Sequence, residues 1–201
     1  MTGAQATAAA PDPFAHEILA LDQGWDELVR QMQHLYQGYL AQVLVALPDY
    51  LITQVRSLCT GPTYAGVFLE LEPEQKTKLL RDLHQVIHDC CTAFRESDPT
   101  ILEPDQLDEQ IDNLLSQAEQ QLQQRLLPLL GENVEATPPR LALRQLDLEL
   151  NDPILRQLRA EMRVLSGRGG YLQREIERIQ SKQRQWQAEQ CWDALFEHIA
   201  L

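Results

Sequence analysis

The sequence predicts an all-α protein: a helical bundle followed by a long C-terminal helix of coiled-coil-like pattern, or a helical hairpin in its place. Three observations predict it. Apolar residues recur at spacings of three and four along most of the chain, the period of one helix face. Leu and Gln abound, with Gln at 24 of 201 positions, whereas only four Phe and five Tyr are present, so helix formers far outnumber strand formers. An acidic residue followed by proline marks the onset of periodicity four times, at Asp12-Pro13, Glu72-Pro73, Glu103-Pro104 and Asp152-Pro153. Proline loses no hydrogen bond at the first helical position, and a preceding Asp can cap the open amides.

Taken in order, residues 1–12 read as a flexible N-terminal tail, since they hold no basic residue and no long apolar run, and so match no secretory or transit signal. An acidic helical bundle is expected over residues 13–130. Its first helix starts near Pro13 and places Phe14, Ile18, Leu21, Trp25, Leu28, Met32, Leu35, Tyr39 and Val43 on one face. Pro48 is expected to stop it, with a separate short helix from Asp49 to about Cys59 closed by Gly61-Pro62. Thr63 to Leu71 alternates in the manner of a strand but has no partner strand, and is expected to be a loop. A helix from Pro73 to about Arg95 buries Leu80, Leu83, Ile87, Cys90 and Phe94. One from Pro104 buries Leu107, Ile111, Leu114, Ala118 and Leu122, with Asp105, Asp108, Asp112 and Glu119 outside, and ends near Pro128 and Gly131.

Residues 131–151 form a linker, GENVEATPP and then a segment that is either a short helix or extended. The charge changes there. Residues 1–139 carry 7 Lys and Arg against 21 Asp and Glu, while residues 140–201 carry 10 against 9. In the final segment, 152–201, a single helix from Pro153 to about Ile199 would be about 70 Å long. Its seam runs in alternating threes and fours through Leu155, Leu158, Met162, Leu165, Gly169, Leu172, Ile176, Ile179, Gln183 and Trp186. Such a face must be buried against the N-terminal helices, a second copy or another protein.

The formal net charge of −13 disfavours nucleic acid as the main partner, because phosphates call for a concentrated positive field. No apolar run approaches the roughly 20 residues of a membrane span. Adjacent Cys90 and Cys91, with no export signal, favour reduced thiols and the cytoplasm.

Local chemistry is sparse. His84, His88 and Cys91 fall at i, i+4 and i+7 on one helical strip, the spacing a metal site uses, but no fourth ligand accompanies them and a core-edge role is the expectation. Ser166 to Gly170 lacks the preceding strand and spacing of a phosphate loop, and reads as a kink or a close helix approach. Arg156, Arg163, Arg174, Arg178 and Lys182 make a basic stripe expected to face the acidic helix near Asp105 to Glu119. Protease, nucleophile-elbow and dinucleotide-loop motifs are absent, and no His has an acidic residue three positions before it as di-iron bundles require. No cofactor and no catalytic residue is expected.

The C-terminal run LNDPILRQLRAEMRVLSGRGGYLQREIERIQ resembles uncharacterised helical proteins of cyanobacterial type, a resemblance that implies a helical fold and no particular activity or site. The function read from these signals is that of a non-enzymatic adaptor, assembly factor or regulator working through helix contacts. Its interaction residues would be Leu158, Met162, Leu165, Leu172, Ile176, Ile179, Trp186 and Trp192 on the C-terminal helix, binding a protein partner or a second copy. A metal- or thiol-responsive regulator centred on His84, His88 and Cys91, or a helical enzyme, is the alternative.

Overall fold

A computed structural model describes residues 12–96, 104–130 and 141–199. Within them the chain is all-α, with six helices: α1 (Ala15–Thr60), α2 (Ala65–Glu70), α3 (Pro73–Glu96), α4 (Pro104–Leu130), α5 (Gln145–Asn151) and α6 (Pro153–Ile199). The expected tail up to residue 11 and the linker residues 131–140 lie outside the described residues.

Pro73, Pro104 and Pro153 are the first residues of α3, α4 and α6, and α1 begins two residues after Pro13. Asp152 is the most complete cap: its Oδ1 accepts the amides of Ile154 at 2.7 Å and Leu155 at 2.9 Å, and its Oδ2 accepts Gln42 Nε2 at 2.8 Å. Burial alone would raise the Asp152 carboxyl, but these hydrogen bonds and nearby Arg156 outweigh it and hold the group below its ordinary value. Asp12 Oδ1 accepts the Phe14 amide at 2.9 Å ahead of α1. Glu72 closes the start of α3 reciprocally: its amide donates to Gln75 Oε1 at 2.9 Å and its carbonyl accepts the Lys76 amide at 3.0 Å.

Three local expectations are corrected. Pro48 does not stop the first helix, which continues to Thr60. A mid-helix proline costs about 3 kcal/mol, yet Val43, Leu47, Tyr50, Leu51 and Val55 on either side of it are all buried, and that packing keeps the helix continuous. The 63–71 stretch is not a loop throughout, since Ala65–Glu70 forms α2 and thereby pairs its backbone locally, as with Phe68 N to Tyr64 O at 2.8 Å. Leu80 is exposed on α3, while Leu79 and Val86 complete the buried face. Residues 166–170 lie inside α6, and Gly169 is a point of close helix approach as expected, against Leu28 and Trp25 of α1.

The chain divides into two compact units. Unit 1 comprises Met1–Met32 and Met162–Leu201, so it holds the first part of α1 and most of α6, which run antiparallel. Gln183 donates to Asp12, Arg178 pairs with Glu17 at 3.7 Å, Leu172 lies against Gly24, and Gly169 lies against Leu28 and Trp25. Unit 2, Gln33–Glu161, holds the rest of α1, helices α2 to α5 and the start of α6. Its core is formed by residues such as Val43, Leu51, Leu83, Ile111, Leu122 and Leu148, with α3 packed along α4 and Arg125 reaching Asp89 between them at 3.4 Å. Leu158 of α6 covers Gly38 of α1.

Two glycines of α6 should respond oppositely to a methyl group. A Cβ at Gly167 would meet nothing within 4 Å, whereas one at buried Gly169 would lie 3.3 Å from Leu28 Cδ2. Gly167→Ala is expected to raise unfolding free energy by about 0.5 to 1 kcal/mol through helix propensity. Gly169→Ala should yield no such gain, and the reverse order in denaturant melts would contradict the packing described. Asp152→Ala is expected to lower stability by about 1 kcal/mol. Because the carboxyl is held below its unfolded value, its contribution is present above that value and fades as pH falls through the folded one. The difference between wild type and Asp152→Ala should therefore shrink in acid.

Candidate functional site

In unit 2, four helices converge on one cation. Arg159, the seventh residue after the α6 cap Asp152, has a side chain only 12% exposed. Its Nε donates to Glu149 Oε1 of α5 at 2.9 Å, and its Nη2 donates to Asp108 Oδ1 of α4 at 2.6 Å and to the Tyr39 hydroxyl of α1 at 3.2 Å. The guanidinium carbon also stands 4.8 Å from the centre of the Tyr39 ring. The Tyr39 hydroxyl in turn donates to Glu149 Oε1 at 2.5 Å. Gln145, one turn before Glu149 on α5, directs its Nε2 at Asp108 (3.0 Å), Tyr39 (3.2 Å) and Glu149 (3.2 Å).

The electrostatics follow from burial. Glu149 is buried, a position a carboxylate tolerates only with a paired cation. Asp108 is about half exposed, so the second negative charge keeps much of its hydration. Desolvation, then the hydrogen bond to Glu149, pushes the Tyr39 phenol up to about 12. Burial would lower the Arg159 guanidinium, but Tyr39, Asp108 and Glu149 together raise it further above an already high value. At neutral pH the phenol of the cluster is thus neutral and the guanidinium a fixed cation. The cluster's hydrogen bonds tie α1, α4, α5 and α6 together, which makes it a clasp between helices.

A second clasp positions the segment that leads into α5. Tyr50 of α1 accepts the Arg144 amide at 3.0 Å and donates to the Arg144 carbonyl at 3.2 Å, while Glu119 Oε2 of α4 accepts the Leu143 amide at 3.3 Å. These side chains satisfy backbone groups of the two residues that lead into α5.

The residues singled out from the sequence fall in three places. His84 and His88 are exposed, the first with its Nδ1 2.9 Å from the Leu80 carbonyl and the second beside Asp89, whereas Cys91 is buried. The three do not converge, and among the described residues no group of three or more His, Cys, Asp and Glu could hold a metal ion. Burial raises the thiols of Cys59 and Cys91 and takes that of Cys90 up to about 11, so these sulfurs stay protonated near neutrality. Met162 and Ile179 are buried, and Leu158, Leu165, Leu172, Ile176 and Trp186 are half-buried on the same face of α6. Trp192 is 62% exposed. Of the basic stripe, Arg178 pairs with Glu175 at 2.7 Å and with Glu17; the cation that reaches the acidic helix α4 from α6 is Arg159, which the stripe did not include.

The clasp carried no signature legible in advance. Tyr39 sits within an apolar stripe, Glu149 in a segment of ambiguous structure, and Arg159 directly after the seam residue Leu158. Only a charged residue bordering a seam hinted that a counter-charge faces it.

Arg159→Met is expected to cost about 3 to 5 kcal/mol, because Glu149 would be left buried without a cation. The double variant Arg159→Met with Glu149→Leu should recover much of that loss; equal loss in both would argue against the pairing. For Tyr39, a folded value raised from 10.0 to about 12 means that its contribution is present below 10 and is lost as pH rises towards 12. Alkaline melts of wild type should fall more steeply over that interval than those of Tyr39→Phe.

Comparison with family models, with curated protein sequences and with solved structures returned no match.

Proposed function

We propose that this chain is a non-enzymatic adaptor or assembly factor of the cytoplasm that binds a protein partner, or a second copy of itself, through the C-terminal part of α6. The observation that carries the reading is the exposure of two large apolar side chains near the end of that helix, Trp192 at 62% and Leu195 at 58%. Three residues apart, they share one face. Tryptophan on a surface is among the side chains that contribute most when an interface forms over it. Upstream, the seam is already engaged inside the chain, with Leu172 and Gly169 against α1 in unit 1 and Leu158 against Gly38 in unit 2. The division of labour is then between an inner face that holds α6 to α1 and an end that recruits.

Further observations agree with this reading. The Arg159 cluster of unit 2 is engaged in hydrogen bonds between helices, as expected of a scaffold. The charge of −13 is unsuited to phosphate backbones. No helix among the described residues is long and apolar enough to cross a membrane.

Two double variants of the full chain separate the faces. Trp192→Ser with Leu195→Ser is expected to weaken association at least tenfold, read by light scattering for self-association and by co-purification for another protein. Leu172→Asp with Ile176→Asp is expected to lower stability by about 3 kcal/mol, because it places charge against α1. Undiminished association in the first variant would remove the reading.

A further inference from the structure

A cavity of about 360 Å³ in unit 2 lies between the end of α1, α2 and the first half of α3. Its size is in the range of sites that hold small organic molecules, about 300 to 1,000 Å³. Val55, Cys59, Phe68, Leu79 and Leu83 give it an apolar lining, and the exposure of Ile52 and Leu80 opens it to solvent.

The charges around it are of one sign. Arg56 and Lys76 are the only charged side chains that line it, and no carboxylate does, in a chain where 30 acidic residues outnumber 17 basic ones. Arg56 is exposed and forms no ion pair among the described residues. The Lys76 ammonium is held in place by the Leu69 carbonyl at 3.1 Å and stands 5.8 Å from the centre of the Phe68 ring. One of its three N–H groups is engaged by the carbonyl, so donors remain for a ligand. A hydrocarbon-lined cavity with two cations suits a molecule with an apolar body and an anionic head.

We infer that this cavity is a binding site for a single-chain fatty carboxylate, its alkyl tail against Val55, Leu79 and Leu83 and its carboxylate between Arg56 and Lys76. The occupant is committed to by charge: a protein helix would bring apolar side chains to the cavity but would have no need of paired cations. Binding here is independent of the recruiting end of α6, and neither reading rests on the other.

The test is calorimetric titration of the full chain with decanoate, below its micellar concentration, beside decyltrimethylammonium, which keeps the tail and reverses the head charge. One decanoate is expected per chain, with the cationic probe about tenfold weaker. Arg56→Gln with Lys76→Gln, both outside the core, should bring the two probes to similar affinity. Ile52→Trp, at a partly exposed position, should fill the mouth and abolish decanoate binding while the melting curve is retained. Absence of decanoate binding, equal affinity for both probes in the wild type, or many decanoates per chain would overturn the inference. So would full decanoate binding in the Ile52→Trp protein, which would place the ligand elsewhere. The charge variants remain decisive even if the tryptophan proves disruptive, because they alter only the head-group contacts.

Discussion

The Arg159 guanidinium joins α6 to Glu149 of α5, Asp108 of α4 and Tyr39 of α1, and the arrangement of unit 2 depends on that convergence. Apolar packing is tolerant of small slides and rotations, since any well-filled contact of similar area is nearly as favourable. A buried carboxylate is not tolerant: displaced from its cation it loses several kcal/mol of compensation. The clasp therefore selects one register for four helices that Leu-rich faces alone would leave degenerate. Gln145 completes it by directing its amide at both carboxylates and at the phenol.

Helix α6 is tied down at its first turn by a related device. Asp152 caps its open amides with one oxygen and takes Gln42 of α1 with the other, so that the helix start and its lateral contact are set by the same side chain. From there, the face that includes Leu155, Met162 and Ile179 is buried. Gly169 allows a close approach, since a methyl group there would stand 3.3 Å from Leu28 Cδ2. The proposed recruiting surface at Trp192 and Leu195 lies on the helical part of unit 1, so a partner would meet side chains at helical spacing in place of a loop.

Much of the fold was legible because its signals are local. Asp152 followed by Pro153 announces a helix start whatever the rest of the chain does, and the threes and fours from Leu107 to Leu122 announce a buried face. Where the reading failed, a longer-range term prevailed. Pro48 breaks helices in isolation, but Val43, Leu47 and Leu51 are buried around it. Leu80 shares the period of its helix face yet opens onto a cavity, because periodicity says which residues share a face and not what covers it. Arg159 was passed over for Arg156 and Arg163, since one residue's shift around a helix decides whether a guanidinium meets solvent or a carboxylate, and only the neighbouring helices reveal which.

The sequence by itself determined the all-α class, the helix starts at acid-proline pairs, and the face of the last helix that had to be covered. Each of these depends on backbone hydrogen bonding and hydrophobic period within a few turns, and such terms are encoded locally. Tertiary structure alone decided that α1 receives that face, that Tyr39, Asp108, Glu149 and Arg159 meet, and that Arg56 and Lys76 border one apolar cavity. These residues lie tens of positions apart, and no local term encodes which of many like-patterned helices will bring them together.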